Sequence, residues 1–100
     1  MNAGDPEQVK KAKERDEREA RRHIADVRTL MALPAGRRVF QHYIEFCKPL
    51  EEPFSTNGSV TNYNLGRSSA GRKIYADLDE ASPELFLKMK QERREDLKNA

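Results

Sequence analysis

The sequence predicts an all-α protein, a small bundle of about four helices with a long charged N-terminal helical arm. Three observations predict it. From Glu7 to Leu33 there is neither glycine nor proline. Successive segments place apolar residues three and four positions apart, the helical period. Two start signatures, Asp5-Pro6-Glu7 and Ser82-Pro83-Glu84, set a capping oxygen before a proline and an acidic first turn.

The first helix is expected to have two characters. Residues 7–22 are nearly all charged or alanine. Glu14→Arg18 and Glu17→Arg21 are i,i+4 pairs in the favourable order, each worth roughly 0.2–0.5 kcal/mol. Such pairs hold a helix in water without giving it a reason to pack. From Ala20 a stripe of Ala20, Ile24, Val27, Leu30 and Met31 is expected to dock on the core. Pro34 biases Leu33 away from helical backbone and breaks the chain there.

A second helix is expected from Pro34 or Ala35 to Lys48, with Val39, Phe40, Tyr43, Ile44 and Cys47 on its apolar face, and Pro49 stops it. Residues 49–61 read as a loop, with Asn57-Gly58 as a turn and Phe54 packing back onto the body. A third helix is expected from about Asn62 to Asp79, capped by Ser59 or Thr61. Gly66 and Gly71 inside it cost about 1 kcal/mol each relative to alanine. They are understandable if the second helix crosses closely there. The fourth helix starts at Ser82 and buries Leu85, Phe86 and Met89. After Lys90 the chain reads as a charged tail anchored by Leu97 alone and free to fray. The expected division is an arm at 1–22, a helical body at 23–90 and a tail at 91–100.

Composition limits the function. The chain is 36% charged, with 19 Lys+Arg against 17 Asp+Glu among 100 residues, and its mean hydropathy is −0.96. A chain this short buries only about 60–70% of its unfolded surface, so parts of it are expected to be ordered by a partner. The near balance of charge reads as solvated helix faces rather than a strong nucleic-acid surface. The single cysteine rules out an intramolecular disulfide. No apolar run reaches the roughly 18–20 residues of a membrane span, so a soluble protein made in a cytoplasm is expected.

No catalytic pattern emerges. His23, His42 and Cys47 lack metal-ligand spacing, and no cofactor is expected. Cys47 lies on an apolar stripe and reads as a small buried hydrophobe. Ser68 and Ser69 have no histidine near them in sequence. Asn64 to Lys73 is glycine-containing and basic but lacks the Gly-Lys-Ser/Thr of a phosphate loop. The expectation is a non-enzymatic protein.

The basic residues carry the remaining signal. Candidate partner-binding positions are Arg15, Arg18, Arg21 and Arg22 on the arm, Arg37 and Arg38 after the first break, Arg67, Arg72 and Lys73 in the third helix, and Arg93 and Arg94 in the tail. The two central clusters are expected to form one electropositive patch or to pair with Asp26, Asp77, Asp79 or Glu80. Asp26 is assigned a bridge to Arg37 or Arg38 that fastens the first corner. Pro34, Gly36, Phe40, Gly66 and Gly71 are assigned structural roles.

The run Asp26-Val27-Arg28-Thr29-Leu30-Met31-Ala32-Leu33-Pro34-Ala35-Gly36-Arg37-Arg38-Val39-Phe40 resembles the first signature of a family of small tailed-phage proteins first noted in a Bordetella podophage. Asn64-Leu65-Gly66-Arg67-Ser68-Ser69-Ala70-Gly71 is similar to the second, Asn-x-Gly-Arg-x-x-x-Gly, and Leu85-Phe86-Leu87-Lys88-Met89 to its closing helix. The resemblance spans about residues 24–90 and departs from the pattern at Ser68, where a second arginine is expected. It implies a gene near those for portal and head proteins and a place in the virion. The implied partners are portal or tail proteins, met by multiple copies in a symmetric ring, with possible contact to packaged DNA. It also implies an internal protein ejected with the genome. The two short basic helices joined near Pro34 and the Gly-Arg clusters support an alternative, a DNA-binding or packaging accessory factor.

Overall fold

Asp5 opens the first helix through its side chain, accepting from the Glu7 amide at 3.0 Å and the Gln8 amide at 3.4 Å. Pro6 follows it without an amide hydrogen to lose. The computed structural model describes residues 4–100; the first three residues of the expected arm lie outside the described residues. The elements are α1 (Pro6–Met31), α2 (Pro34–Cys47), α3 (Gly58–Ala81) and α4 (Pro83–Lys98). All regular structure among the described residues is helical, a small all-α bundle.

The first corner is two residues long. Leu33 is extended, with ψ 134°, as the following proline requires. The α2 amide of Arg37 then reaches the Leu33 carbonyl at 3.1 Å. Gly36 permits this tight corner: a Cβ placed there would overlap the Leu30 carbonyl oxygen and lie 2.7 Å from its carbon. The backbones of α1 and α2 therefore touch. At its other end α2 stops on Lys48, which adopts left-handed backbone (φ 49°, ψ 55°) and donates its amide to the Ile44 carbonyl. Proline at 49, which is buried, cannot continue the helix.

The third helix begins earlier than the sequence predicts. Asn57 is its cap, accepting from the Ser59 and Val60 amides at 2.9 and 3.2 Å. Thr61, expected as a cap, instead pins the loop, accepting from the Ser55 amide at 2.8 Å and donating to the Ser55 carbonyl at 3.1 Å. Asn64 fastens the same loop through the Pro53 carbonyl. Phe54, expected to do this, is 69% exposed. α3 runs two residues past Asp79 and passes directly into α4 through Ser82. That residue donates its amide to the Leu78 carbonyl and accepts from the Leu85 amide through its hydroxyl.

The core is small. Val27 and Met31 of α1, Leu78 and Ala81 of α3, and Phe86 and Met89 of α4 are buried together, with Phe40 and Ile44 of α2 packed at the edge. Tyr75 meets Phe86 edge to face at 4.8 Å, and Lys90 lies 4.0 Å above the Phe86 ring. Leu30, Val39 and Tyr43, assigned to core stripes, are about half exposed. The protein is flat, with principal extents of 58 × 40 × 16 Å.

The two α3 glycines divide. A Cβ at Gly71 would lie 2.5 Å from the Cys47 Cβ, so α2 and α3 do approach closely there. At Gly66 nothing lies within 4 Å, which corrects the expectation of a close crossing at both. Gly66→Ala is therefore expected to stabilise the protein by about 0.5–1 kcal/mol through helix propensity alone. Gly71→Ala is expected to destabilise it by about 1–3 kcal/mol through overpacking. Urea denaturation of the two variants checks the opposite signs.

Candidate interaction surfaces

Most of the basic residues singled out in the sequence are accounted for by partners within the chain. Arg37 is 4% exposed. Its Nε and Nη2 donate to the two carboxylate oxygens of Glu92 at 2.6 and 3.1 Å, and its Nη1 donates to the Met31 carbonyl at 2.9 Å. One side chain thus satisfies a carbonyl at the end of α1, which lacks an intrahelical partner, and ties α2 to α4. The hydrogen bond from Arg37 outweighs burial and holds the Glu92 carboxyl below the usual range. Arg37 is a clamp, not a partner-binding residue. The expected bridge from Asp26 is absent: Asp26 is exposed, without a hydrogen-bond or ion-pair partner among the described residues. Phe40 and Pro34 stand where the sequence placed them, at the core edge and at the start of α2.

The tail is not frayed. α4 continues to Lys98, and Arg93 donates to Glu45 of α2 at 3.0 Å. Arg94 is exposed. Between α2 and α4 lies an open cleft lined by Arg38, Gln41, His42, Glu45, Arg93 and Asp96.

The second basic cluster disperses. Arg67 lies over two rings, 5.7 Å from the Phe46 centroid and 5.2 Å from that of Tyr63, with Nη2 donating to Asn64 at 3.2 Å. Arg72 reaches the Ser68 hydroxyl, and Lys73 pairs with Asp77 at 2.8 Å. Arg37 and Phe46 stand nine positions apart on α2, roughly 14 Å along the axis, so the two clusters do not merge into one patch. Ser68 is 3% exposed; an arginine at this position would be closed off from solvent.

Asp77 joins the arm to the body. It is buried on α3 and accepts from His23 Nε2 at 2.9 Å and from Lys73 Nζ. His23 is the first residue of α1 to make a side-chain hydrogen bond to another described element. Burial pushes the Asp77 carboxyl up, but the Lys73 and His23 hydrogen bonds together outweigh it and hold it below the usual range. A depressed carboxyl contributes stability above its unfolded pKa of about 3.9 and loses it as pH falls through the folded value. The raised Lys73 contributes below the ordinary lysine value and loses its share on the alkaline side. The melting temperature is therefore expected to drop steeply below about pH 4, and Asp77→Asn is expected to flatten that drop in a pH series of thermal melts.

Over residues 6–22 every residue of α1 except Ala12 is exposed, and Ala20 and Arg21 border an open pocket shared with Glu80 and Ala81 of α3. Arg15, Arg18, Arg21 and Arg22 are all exposed. Neither expected arm pair, Glu14–Arg18 or Glu17–Arg21, closes; the arm's ion pairs among the described residues are instead Glu7–Lys11 at 3.9 Å and Arg15–Asp16 at 3.3 Å. Arg15, Arg18 and Arg22 share one face with Glu19.

The surface that sequence reasoning missed is apolar. Val39, Tyr43 and Phe46 are 54%, 52% and 52% exposed and follow one another at spacings of four and three along α2. Tyr63, 58% exposed, joins them through Arg67; Leu50 and Phe54 are exposed in the loop that follows α2. The signal was present: α2 carries two adjacent stripes, the inward Phe40-Ile44-Cys47 and the outward Val39-Tyr43-Phe46, too wide an arc for one buried face.

Among the described residues no group of three or more His, Cys, Asp or Glu is placed to hold a metal ion, and no helix is long and apolar enough to cross a membrane. Buried Cys47 faces Gly71. No family model, curated protein or solved structure matches the chain.

Proposed function

We propose that this chain is a non-enzymatic phage virion protein of the portal and head–tail region, an internal protein that docks on the portal or tail and leaves with the genome. The observation that carries the docking role is the exposed first part of α1, residues 6–19, in which Ala12 alone is partly covered. Isolated helices of this length are marginal in water, and a segment that buries nothing gains order from a partner. The resemblance of residues 26–40, 64–71 and 85–89 to small podophage proteins supplies the place. A charged interface without a large dry core suits release. Copy number is expected to follow the symmetry of the ring it lines. Mass spectrometry of purified particles before and after genome release tests the reading. The protein is expected in full particles and depleted from emptied ones; its absence from full particles refutes the virion role.

The three arginines on one arm face favour a second reading, a DNA-packaging accessory factor. Phosphate contacts release counterions, so affinity for duplex DNA is then expected to fall steeply with salt. A gel-shift series across salt concentrations, compared with Arg15→Ala/Arg18→Ala/Arg22→Ala, measures it.

A further inference from the structure

We propose that the outward face of α2 is a two-fold interface with a second copy of this chain, packed antiparallel. Three observations carry it, and none depends on the proposed virion role.

The first is composition. The ridge Val39-Tyr43-Phe46 is continued by Tyr63, with the Arg67 guanidinium resting against Phe46 and Tyr63. Aromatic residues and arginine are the types that anchor protein interfaces, whereas isolated exposed apolar residues are ordinary. Arg67 also has a buried Nε without an acceptor, so its orientation is fixed by stacking before any partner arrives.

The second is area. An aromatic side chain carries about 150–250 Å², so the half-bare Val39, Tyr43, Phe46 and Tyr63 offer on the order of 400 Å². A standard interface takes roughly 800 Å² from each partner. The rim of charged residues beside the ridge makes up the difference.

The third is charge, and it fixes both the occupant and the direction. Arg38 and Glu45 lie seven residues apart, on one flank of α2, and both line the cleft beside the ridge. Arg38 has no hydrogen-bond or ion-pair partner among the described residues. Glu45 binds Arg93 through Oε1, leaving Oε2 to accept. In a parallel two-fold pair the two copies of this flank fall on opposite sides of the seam, and neither charge meets its counterpart. Laid antiparallel, a second α2 sets each Arg38 against the other copy's Glu45, twice over. The axis that does this passes beside His42, and it also sets Val39 of each copy against Phe46 of the other. The flank is self-complementary in one direction only. Two arms then project from one dimer.

Sedimentation equilibrium of the full chain between roughly 1 µM and 1 mM tests this. A monomer–dimer equilibrium is expected. Tyr43→Glu/Phe46→Glu is expected to weaken it on the order of 100-fold, with helicity by circular dichroism little changed because both side chains are half exposed and lie outside the buried core. Arg38→Glu and Glu45→Arg are each expected to weaken self-association by about tenfold. An equimolar mixture of these two variants is expected to restore the dimer, because only the mixed pair opposes unlike charges at both contacts. A wild-type chain that stays monomeric throughout overturns the proposal. So does a dimer that survives Tyr43→Glu/Phe46→Glu but is lost with Val9→Glu, which places the contact on the arm. Failure of the mixture to recover association overturns the antiparallel arrangement.

Discussion

Gly36→Ala is expected to destabilise the protein by about 3 kcal/mol, at the upper end of what overpacking costs. The added methyl group falls on the Leu30 carbonyl, and a backbone atom cannot rotate aside as a side-chain tip can. α1 and α2 must separate, and the Arg37 guanidinium, one residue on, must then release the Met31 carbonyl or Glu92. For a domain of this size each kcal/mol moves the melting temperature by roughly 4–8 °C, so a fall of more than about 10 °C is expected by thermal circular dichroism. Gly66→Ala is the matched control, with the same chemistry and the opposite sign. Equal melting of Gly36→Ala and the natural chain would show that the two backbones do not touch at this corner.

Leu78→Ala is expected to be comparably severe, at about 2–5 kcal/mol, through lost burial and a residual cavity. Leu78 is fully buried within a cluster of six residues drawn from three helices. Domain stabilities are only about 5–15 kcal/mol, so one deleted side chain removes a large share. The urea midpoint is expected to fall with little change in slope. Leu87→Ala, on the exposed face of α4, is expected to stay within about 0.5 kcal/mol of the natural chain.

The helices were legible in the sequence where local chemistry decides them. Asp5-Pro6-Glu7, Leu33-Pro34, the stop at Pro49 and Ser82-Pro83-Glu84 each act within a few residues, and each stands where expected. Asn57-Gly58 misled because an asparagine that accepts from amides two and three residues on makes a turn and a helix cap equally well. The tail misled for the opposite reason. Its order comes from Arg37–Glu92 and Arg93–Glu45, contacts 55 and 48 residues apart in sequence, which no local pattern announces. Asp26 is the nearest acid before Arg37 in sequence, and the fold chose one from the far end of the chain. The candidate surface was half legible. The free arm followed from its lack of apolar residues, whereas the α2 ridge was hidden because its residues are of the same types as the core.

The junction at Ser82 gives the body a mechanical property. One extended residue (φ −165°, ψ 99°) separates 24 residues of helix from 16, and it is itself buried. α4 extends roughly 24 Å beyond that pivot. A rotation of only about 10° there shifts Glu92 and Arg93, about 15 Å along α4, by roughly 3 Å, enough to part Arg93 from Glu45 and Arg37 from Glu92 together. Beyond the buried Phe86 and Met89, the angle between α3 and α4 is therefore held past the midpoint of α4 by two ion pairs, stays on a lever whose fulcrum is a single pair of torsion angles.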